Sequence, residues 1–174
     1  MCVGVSTQGS FEITPNGLFV GPPISSTLLN SGFGTPRGSG VELGEMEAVY
    51  LILRGRIEVD NPEEIIKTLS SRKRGFWTVY AVFADLSNQG KKIFYDDELG
   101  IILQREGEKM VYIPLSLDKP MTLKNLLARA KTYVERSWTP VLAIVDEHGT
   151  PTYYSVDTRP PSKELLTSGE EGAP

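Results

Sequence analysis

Apolar residues recur along this chain in two rhythms, and the switches between them mark its elements. Short β-like pieces over 9–14 and 17–20 are separated by turn residues at Pro15-Asn16-Gly17 and Gly21-Pro22-Pro23. The Gly- and Ser-rich stretch 30–40 reads as a loop. Met46, Val49, Tyr50 and Leu53 then follow the i, i+3, i+4, i+7 spacing of a helix, and Gly55 stands where it should stop. Residues 56–59 read as a brief strand. Asn61-Pro62-Glu63-Glu64 opens another helix: Asn can cap it, Pro fits its first position, and the acids meet the positive end of the dipole. Ile65, Ile66 and Leu69 are its apolar face.

Arg72-Lys73-Arg74-Gly75 interrupts the pattern and marks a boundary. Phe76, Val79, Tyr80, Phe83 and Leu86 restore helical spacing as far as Gly90. Strands follow over 92–95, 101–105 and 110–115, with acidic and glycine turns between them. Thr122 caps a helix carrying Leu123, Leu126, Leu127, Ala130 and Val134 on one face. The apolar run 141–145 is expected to be the central buried strand, and 152–156 to pair with it across Asp146-Glu147-His148-Gly149. The predicted class is α/β in the α+β sense. A small N-terminal α/β domain spans 1–73, with its first ten or so residues flexible. A mixed β-sheet domain flanked by helices spans 74–160, and a polar tail over 161–174 is expected to fray.

Charge narrows the function. The 174 residues carry a net charge of −4 and a pI near 5.1. RNA binders draw most of their affinity from neutralising phosphates, so this balance argues against a free-standing RNA-binding protein. It fits a subunit that docks on a basic partner. One cysteine, Cys2, permits no internal disulfide and no thiolate metal site. No apolar run has the length of a membrane span, and the N-terminus lacks a signal-peptide layout, so a soluble, cytoplasmic protein is expected.

The segment 134–156, Val-Glu-Arg-Ser-Trp-Thr-Pro-Val-Leu-Ala-Ile-Val-Asp-Glu-His-Gly-Thr-Pro-Thr-Tyr-Tyr-Ser-Val, resembles the C-terminal signature of the archaeal tRNA-splicing (tRNA-intron) endonuclease family. In that family a strand ending in Ala-Val/Ile-Val-Asp turns into a Tyr-Tyr strand. Asn30-Ser-Gly-Phe-Gly34 with the stretch 42–59 resembles the family's N-terminal domain, and 76–86 the helix that opens its catalytic domain. The matches run in order from about residue 30 to about residue 160. They imply a restriction-endonuclease-like C-terminal domain.

What the resemblance implies chemically is metal-independent cleavage, in which a 2′-OH attacks its own phosphate to leave a cyclic phosphate and a 5′-OH. Such a reaction needs a base, an acid and a cation, which the family supplies as Tyr, His and Lys. Tyr112 matches the tyrosine. The stretch 117–123 has no histidine where one is expected, and Ser137-Trp138-Thr139-Pro140 stands where the lysine should be. The chain's single histidine, His148, reads as a solvated turn residue, and Lys131 lies about two turns early. No catalytic residue, cofactor or metal site is therefore expected.

The resemblance then points to the structural, non-catalytic subunit of an (αβ)₂ heterotetramer, whose partner is the catalytic subunit and whose substrate is precursor tRNA with a bulge-helix-bulge. Docking would fall on the acidic turn Asp146-Glu147, which in the family enters a basic cleft of the opposing subunit. It would also fall on the last strand, Thr152, Tyr153, Tyr154, Ser155 and Val156. Arg72, Lys73, Arg74 and Arg159 have two readings, RNA phosphate contacts or solvated charges, and Lys91-Lys92 is similar. The competing functional reading is an active nuclease that uses Tyr112 with a substitute acid and cation.

Overall fold

Five antiparallel strands build the first layer: β1 (Gly4–Ser6), β2 (Gly9–Thr14), β3 (Gly17–Val20), β4 (Thr35–Arg37) and β5 (Gly40–Gly44), in the order β1-β2-β3-β5-β4. The computed structural model describes residues 4–6, 9–105, 107–119 and 121–156. The tail expected to fray lies outside them. Helices α1 (Ile24–Asn30), α2 (Glu45–Leu53) and α3 (Pro62–Ser71) complete this half.

Three expectations change here. The stretch read as a loop over 30–40 contains β4 and the start of β5, a hairpin whose glycines and proline conceal any alternation. Residues 56–59 form no strand. Gly55 takes φ +63°, and the N–H groups of Gly55 and Arg56 donate back to the Ile52 and Leu51 carbonyls at 2.9 Å. That closure winds the chain against the helix end and buries Ile57. Asn61 precedes α3 in the left-handed region at φ 55° with no side-chain cap. Its carbonyl, not its amide, accepts from the Glu64 and Ile65 N–H groups at 3.1 and 3.2 Å.

One carboxylate organises the entry to α2. Glu47 accepts from the Gly44 N–H at 2.9 Å and from the Gly34 N–H at 3.1 Å, tying the Gly-Phe-Gly turn to the helix start. Burial pushes its carboxyl pKa up, and the two N–H donors pull against that. Glycine is needed at position 34, where φ is +71° and a Cβ would meet Val41 Cγ2 at 2.6 Å.

The second sheet follows α4 (Phe76–Asn88) and runs β10-β9-β8-β7-β6, from β6 (Ile93–Asp96), β7 (Gly100–Arg105), β8 (Glu108–Ser116), β9 (Thr139–Val145) and β10 (Pro151–Ser155). Every pairing is antiparallel except β8–β9, which are parallel and therefore need the crossover helix α5 (Leu123–Val134). The Thr122 hydroxyl caps α5, accepting from the Asn125 N–H at 3.3 Å. The central strand is β8, not β9 as the apolar run implied. The face of α5 is also narrower than expected. Ala130 and Tyr133 are buried and Leu126 packs beside them. Leu123, Leu127 and Val134 stay 68, 40 and 43% exposed, because the helix meets the sheet along a stripe spaced 126, 130, 133.

The main core is continuous across both halves. Leu51, Leu69, Phe76 and Phe83 are essentially inaccessible, and each contributes about 1.5–3 kcal/mol by burial. Across the boundary, two members of the basic run, Arg72 and Lys73, make structural contacts. Arg72 Nη1 donates to the Thr14 carbonyl at 2.8 Å and lies 3.5 Å from Glu45 Oε1. The Lys73 ammonium is 2.7 Å from Glu45 Oε2, reaches Asp97 on the β6–β7 turn, and sits 4.8 Å from the Tyr95 ring centroid. Glu45 is only 5% exposed. Its Oε2 has no well-aligned hydrogen-bond donor, so the nearby ammonium meets its charge as an ion pair. Burial alone would lower the Lys73 pKa, but the neighbouring Asp97 and Glu45 carboxylates outweigh that and raise it.

This node should be the most sensitive polar point of the fold. Glu45→Gln should cost about 1–3 kcal/mol by leaving the two cations under-neutralised, and the combined Glu45→Met and Lys73→Met change should recover most of it. The urea midpoint measures both. An unchanged midpoint for Glu45→Gln would remove the node from the account. Because the Lys73 pKa is raised on folding, its contribution should persist at neutral pH and fade only as alkali titrates the ammonium.

Candidate functional site

The β9–β10 hairpin carries the expected docking residues, and its geometry sorts them. Asp146 Oδ1 accepts from the His148 and Thr150 N–H groups at 2.9 and 2.8 Å, and the Asp146 carbonyl accepts from Gly149 N–H at 3.1 Å. Asp146 therefore holds the turn. Glu147 projects from it with its side chain 82% exposed, 3.6 Å from an equally solvated His148. The projecting acid is Glu147.

On β10, the outermost strand, alternation divides the residues. Tyr153 turns inward, donating its hydroxyl to Asp85 Oδ2 on α4 at 2.5 Å and packing edge-on against Tyr112 with centroids 5.5 Å apart. Burial first, and then the bond to the Asp85 carboxylate, push its hydroxyl pKa far up. It anchors the strand. Tyr154 is 52% exposed on the opposite face, with Thr152 and Ser155 also exposed. The Val156 N–H donates to the Pro140 carbonyl at 3.3 Å, extending the pairing past the strand. Among the described residues β10 pairs only with β9, so its outer edge is unpaired.

The chemical positions do not converge. Tyr112 lies in the central strand, 4% exposed on the face toward α4, and burial raises its hydroxyl pKa. It registers with Val141, five residues before the hairpin turn, so His148 lies about 16 Å or more along the strands. At the place expected for a lysine, the Trp138 ring is parallel to that of Tyr133, centroids 6.3 Å apart. Lys131 is exposed on α5. No cluster of metal-binding side chains occurs among the described residues.

Of the basic residues, Arg72 and Lys73 are committed to Glu45, Asp97 and the β2–β3 turn, whereas Arg74 is exposed. Arg159 lies outside the described residues. A cleft of about 400 Å³ opens between the two halves, lined by Phe33, Tyr50, Arg56, Lys91, Lys92 and Ile93. The Arg56 guanidinium stands 5.6 Å from the Phe33 ring centroid. Its floor is aromatic and its rim cationic, which suits an acidic segment. Sequence reasoning missed Arg56, whose assignment to a strand concealed its place at this rim.

Among the described residues no helix is long and apolar enough to cross a membrane. The sequence profile of the tRNA intron endonuclease N-terminal domain matches residues 19–70, from β3 through α3. The chain is similar to the tRNA-splicing endonuclease of Methanococcoides burtonii, 30% identical over 158 residues that cover 83% of this chain and 45% of that protein. It is 28% identical over 145 residues to that of Methanosarcina acetivorans, covering 76% and 41%. Identity to the Pyrococcus furiosus enzyme is 27% over 146 residues, covering 77% and 85%. The chain thus spans less than half the length of the first two relatives and most of the third. The N-terminal profile and the relatives aligned across most of the chain point the same way: over that length the chain is similar to tRNA-splicing endonucleases.

Proposed function

We propose that this chain is a structural, non-catalytic subunit of a tRNA-splicing endonuclease, assembling with a catalytic subunit as an (αβ)₂ heterotetramer that excises introns from precursor tRNA. The observation that carries this reading is the scattering of the reactive groups. Tyr112 is enclosed in the core, the only histidine lies in a distant turn, and an indole stands at the lysine's place. A phosphoryl-transfer centre without an acid and a cation forfeits orders of magnitude in rate.

The docking half of the proposal rests on the hairpin and the cleft. Glu147 is presented by a turn that Asp146 keeps rigid, so little ordering entropy opposes its insertion into a basic partner. The outer edge of β10 can extend the partner's sheet, with Tyr154 and Thr152 on the exposed face. The cleft at Arg56 and Lys92 can receive an acidic turn in return. Opposite charges would steer the encounter and fix register more than add affinity. The division at residue 73 into two domains, 1–73 and 74–160, belongs to the same reading, although the two share one core.

The chain alone should leave a bulge-helix-bulge RNA intact, and adding a catalytic subunit should restore cutting; cleavage by the partner-free chain would overturn the proposal in favour of an active nuclease. Glu147→Lys should shift the light-scattering mass of the mixture from tetramer toward smaller species. Asp146→Asn, which keeps an acceptor for the turn, should have a much weaker effect. Equal behaviour of Glu147→Lys and wild type would exclude the acidic turn as a docking element. Tyr112→Phe should change the single-turnover rate of the reconstituted complex by less than about twofold, since its hydroxyl has no route to substrate; a drop of a hundredfold or more, typical of a lost general base, would return it to the chemistry.

A further inference from the structure

We infer that Lys109, Arg136 and Trp138 form a contact site for the phosphodiester backbone of RNA, at the opposite end of the β8–β9 pair from the acidic turn. The inference deepens the functional reading and rests on it in taking RNA as the relevant polyanion.

Three local features build the site. The parallel register sets Met110 beside Thr139, so the residues just before them, Lys109 and Trp138, are neighbours on the face covered by α5. After α5 the chain turns through Ser137 at φ 59°, and the Trp138 N–H donates to the Tyr133 carbonyl at 3.0 Å. This left-handed turn directs the indole onto Tyr133 instead of into solvent. The Lys109 ammonium then stands 5.3 Å from the indole centroid, and the Arg136 guanidinium 5.9 Å from it. Both cations are exposed and the indole is half-buried.

Neither cation is in an ion pair among the described residues, unlike Arg72 and Lys73. Each is held instead by the quadrupole of one ring, an attraction of about 0.5–1 kcal/mol at an exposed site. A charge-assisted bond to a phosphate oxygen, at about 1.5–3 kcal/mol, exceeds that. An arriving phosphate can therefore recruit both groups, which the ring already brings to one place. Glu108 points to the opposite face by strand alternation. Gln104, paired with Lys109 in β7 and exposed, adds an amide suited to a base edge or a 2′-OH. A nucleotide can engage the two cations through its phosphate and the amide through its base edge or 2′-OH at once, which favours RNA over an acidic peptide.

The test uses the full chain carrying Trp77→Phe, so that Trp138 is the only indole. It is titrated at low ionic strength with a single-stranded RNA of about twelve nucleotides. Binding should perturb Trp138 fluorescence saturably and weaken with added salt. The Lys109→Gln and Arg136→Gln pair should bind at least tenfold more weakly, with a log–log salt slope shallower by about 1.4, from about 0.7 per lost phosphate contact. Lys109→Arg with Arg136→Lys, which keeps both charges, should bind within about twofold of the parent and so exclude misfolding as the cause. Lys91→Gln with Lys92→Gln, removing equal charge elsewhere, should leave the slope nearly unchanged. Unaltered binding by the Lys109/Arg136 pair would overturn the site, as would an equal loss on changing Lys91 and Lys92. A polyglutamate peptide perturbing Trp138 at lower concentration than RNA would also overturn it, in favour of a protein partner. The titration needs no catalytic subunit, so failure of the scaffold reading in a cleavage assay and failure of this site are separate results.

Discussion

The parallel pairing of β8 with β9 is the constraint from which the arrangement of this chain follows. Parallel neighbours cannot be joined by a tight turn, so the chain must cross the sheet through α5 before re-entering alongside β8. That crossover delivers Trp138 next to Lys109 at one end of the pair. It sends the hairpin with Glu147 out of the other end, seven strand residues away, on the order of 20 Å. The acidic and the basic features are thereby kept apart. Were β9 antiparallel to β8, its two ends would exchange, and Glu147 would emerge beside Lys109.

Charge distribution carries the second half of the logic. A chain with net charge −4 could still present a basic run to a polyanion, but two members of the most conspicuous run are neutralised internally. Arg72 and Lys73 surround the carboxylate of Glu45 and bind the β2–β3 turn and Asp97, respectively, so they link the two sheets. A buried carboxylate without partners would be strongly destabilising. The same residues thus cannot be both the structural node and a free phosphate clamp. Other cations stay exposed, among them Lys109 and Arg136 beside the indole and Arg56, Lys91 and Lys92 lining the cleft.

Legibility in the sequence followed the length scale of each cause. The helices α2 to α5 and the strands β6 to β10 could be read because periodicity and end signals are local, as with Gly55 ending α2 and Thr122 opening α5. The hairpin of β4 and β5 escaped because its pairing depends on a fit against β3, and its Gly-rich sequence carries no alternation. Strand order escaped too: an uninterrupted apolar run marks burial on both faces, which β9 has without being central. At the candidate site, the likeness of 134–156 to the family located the hairpin. It could not separate Asp146 from Glu147, or Tyr153 from Tyr154, because their roles depend on which partner each side chain meets across the fold. Asp85 on α4, which fixes Tyr153, lies 68 positions away.

The start of β9 shows how a ring can gather charge that its own residue lacks. A lysine at the start of β9 would place its ammonium where the backbone turns out of α5. An indole at that place has no charge of its own, but its face attracts cations from either side. In this chain they come from the preceding strand and from the end of the crossover helix, which flank position 138 because of the parallel register and the left-handed turn at Ser137. Positive charge is therefore supplied by residues other than 138 itself and held at ring distance. Such cations can attract a phosphate as a ligand. Tyr112 faces the other side of the sheet and the histidine lies at the far end of the strands, so neither stands beside these cations.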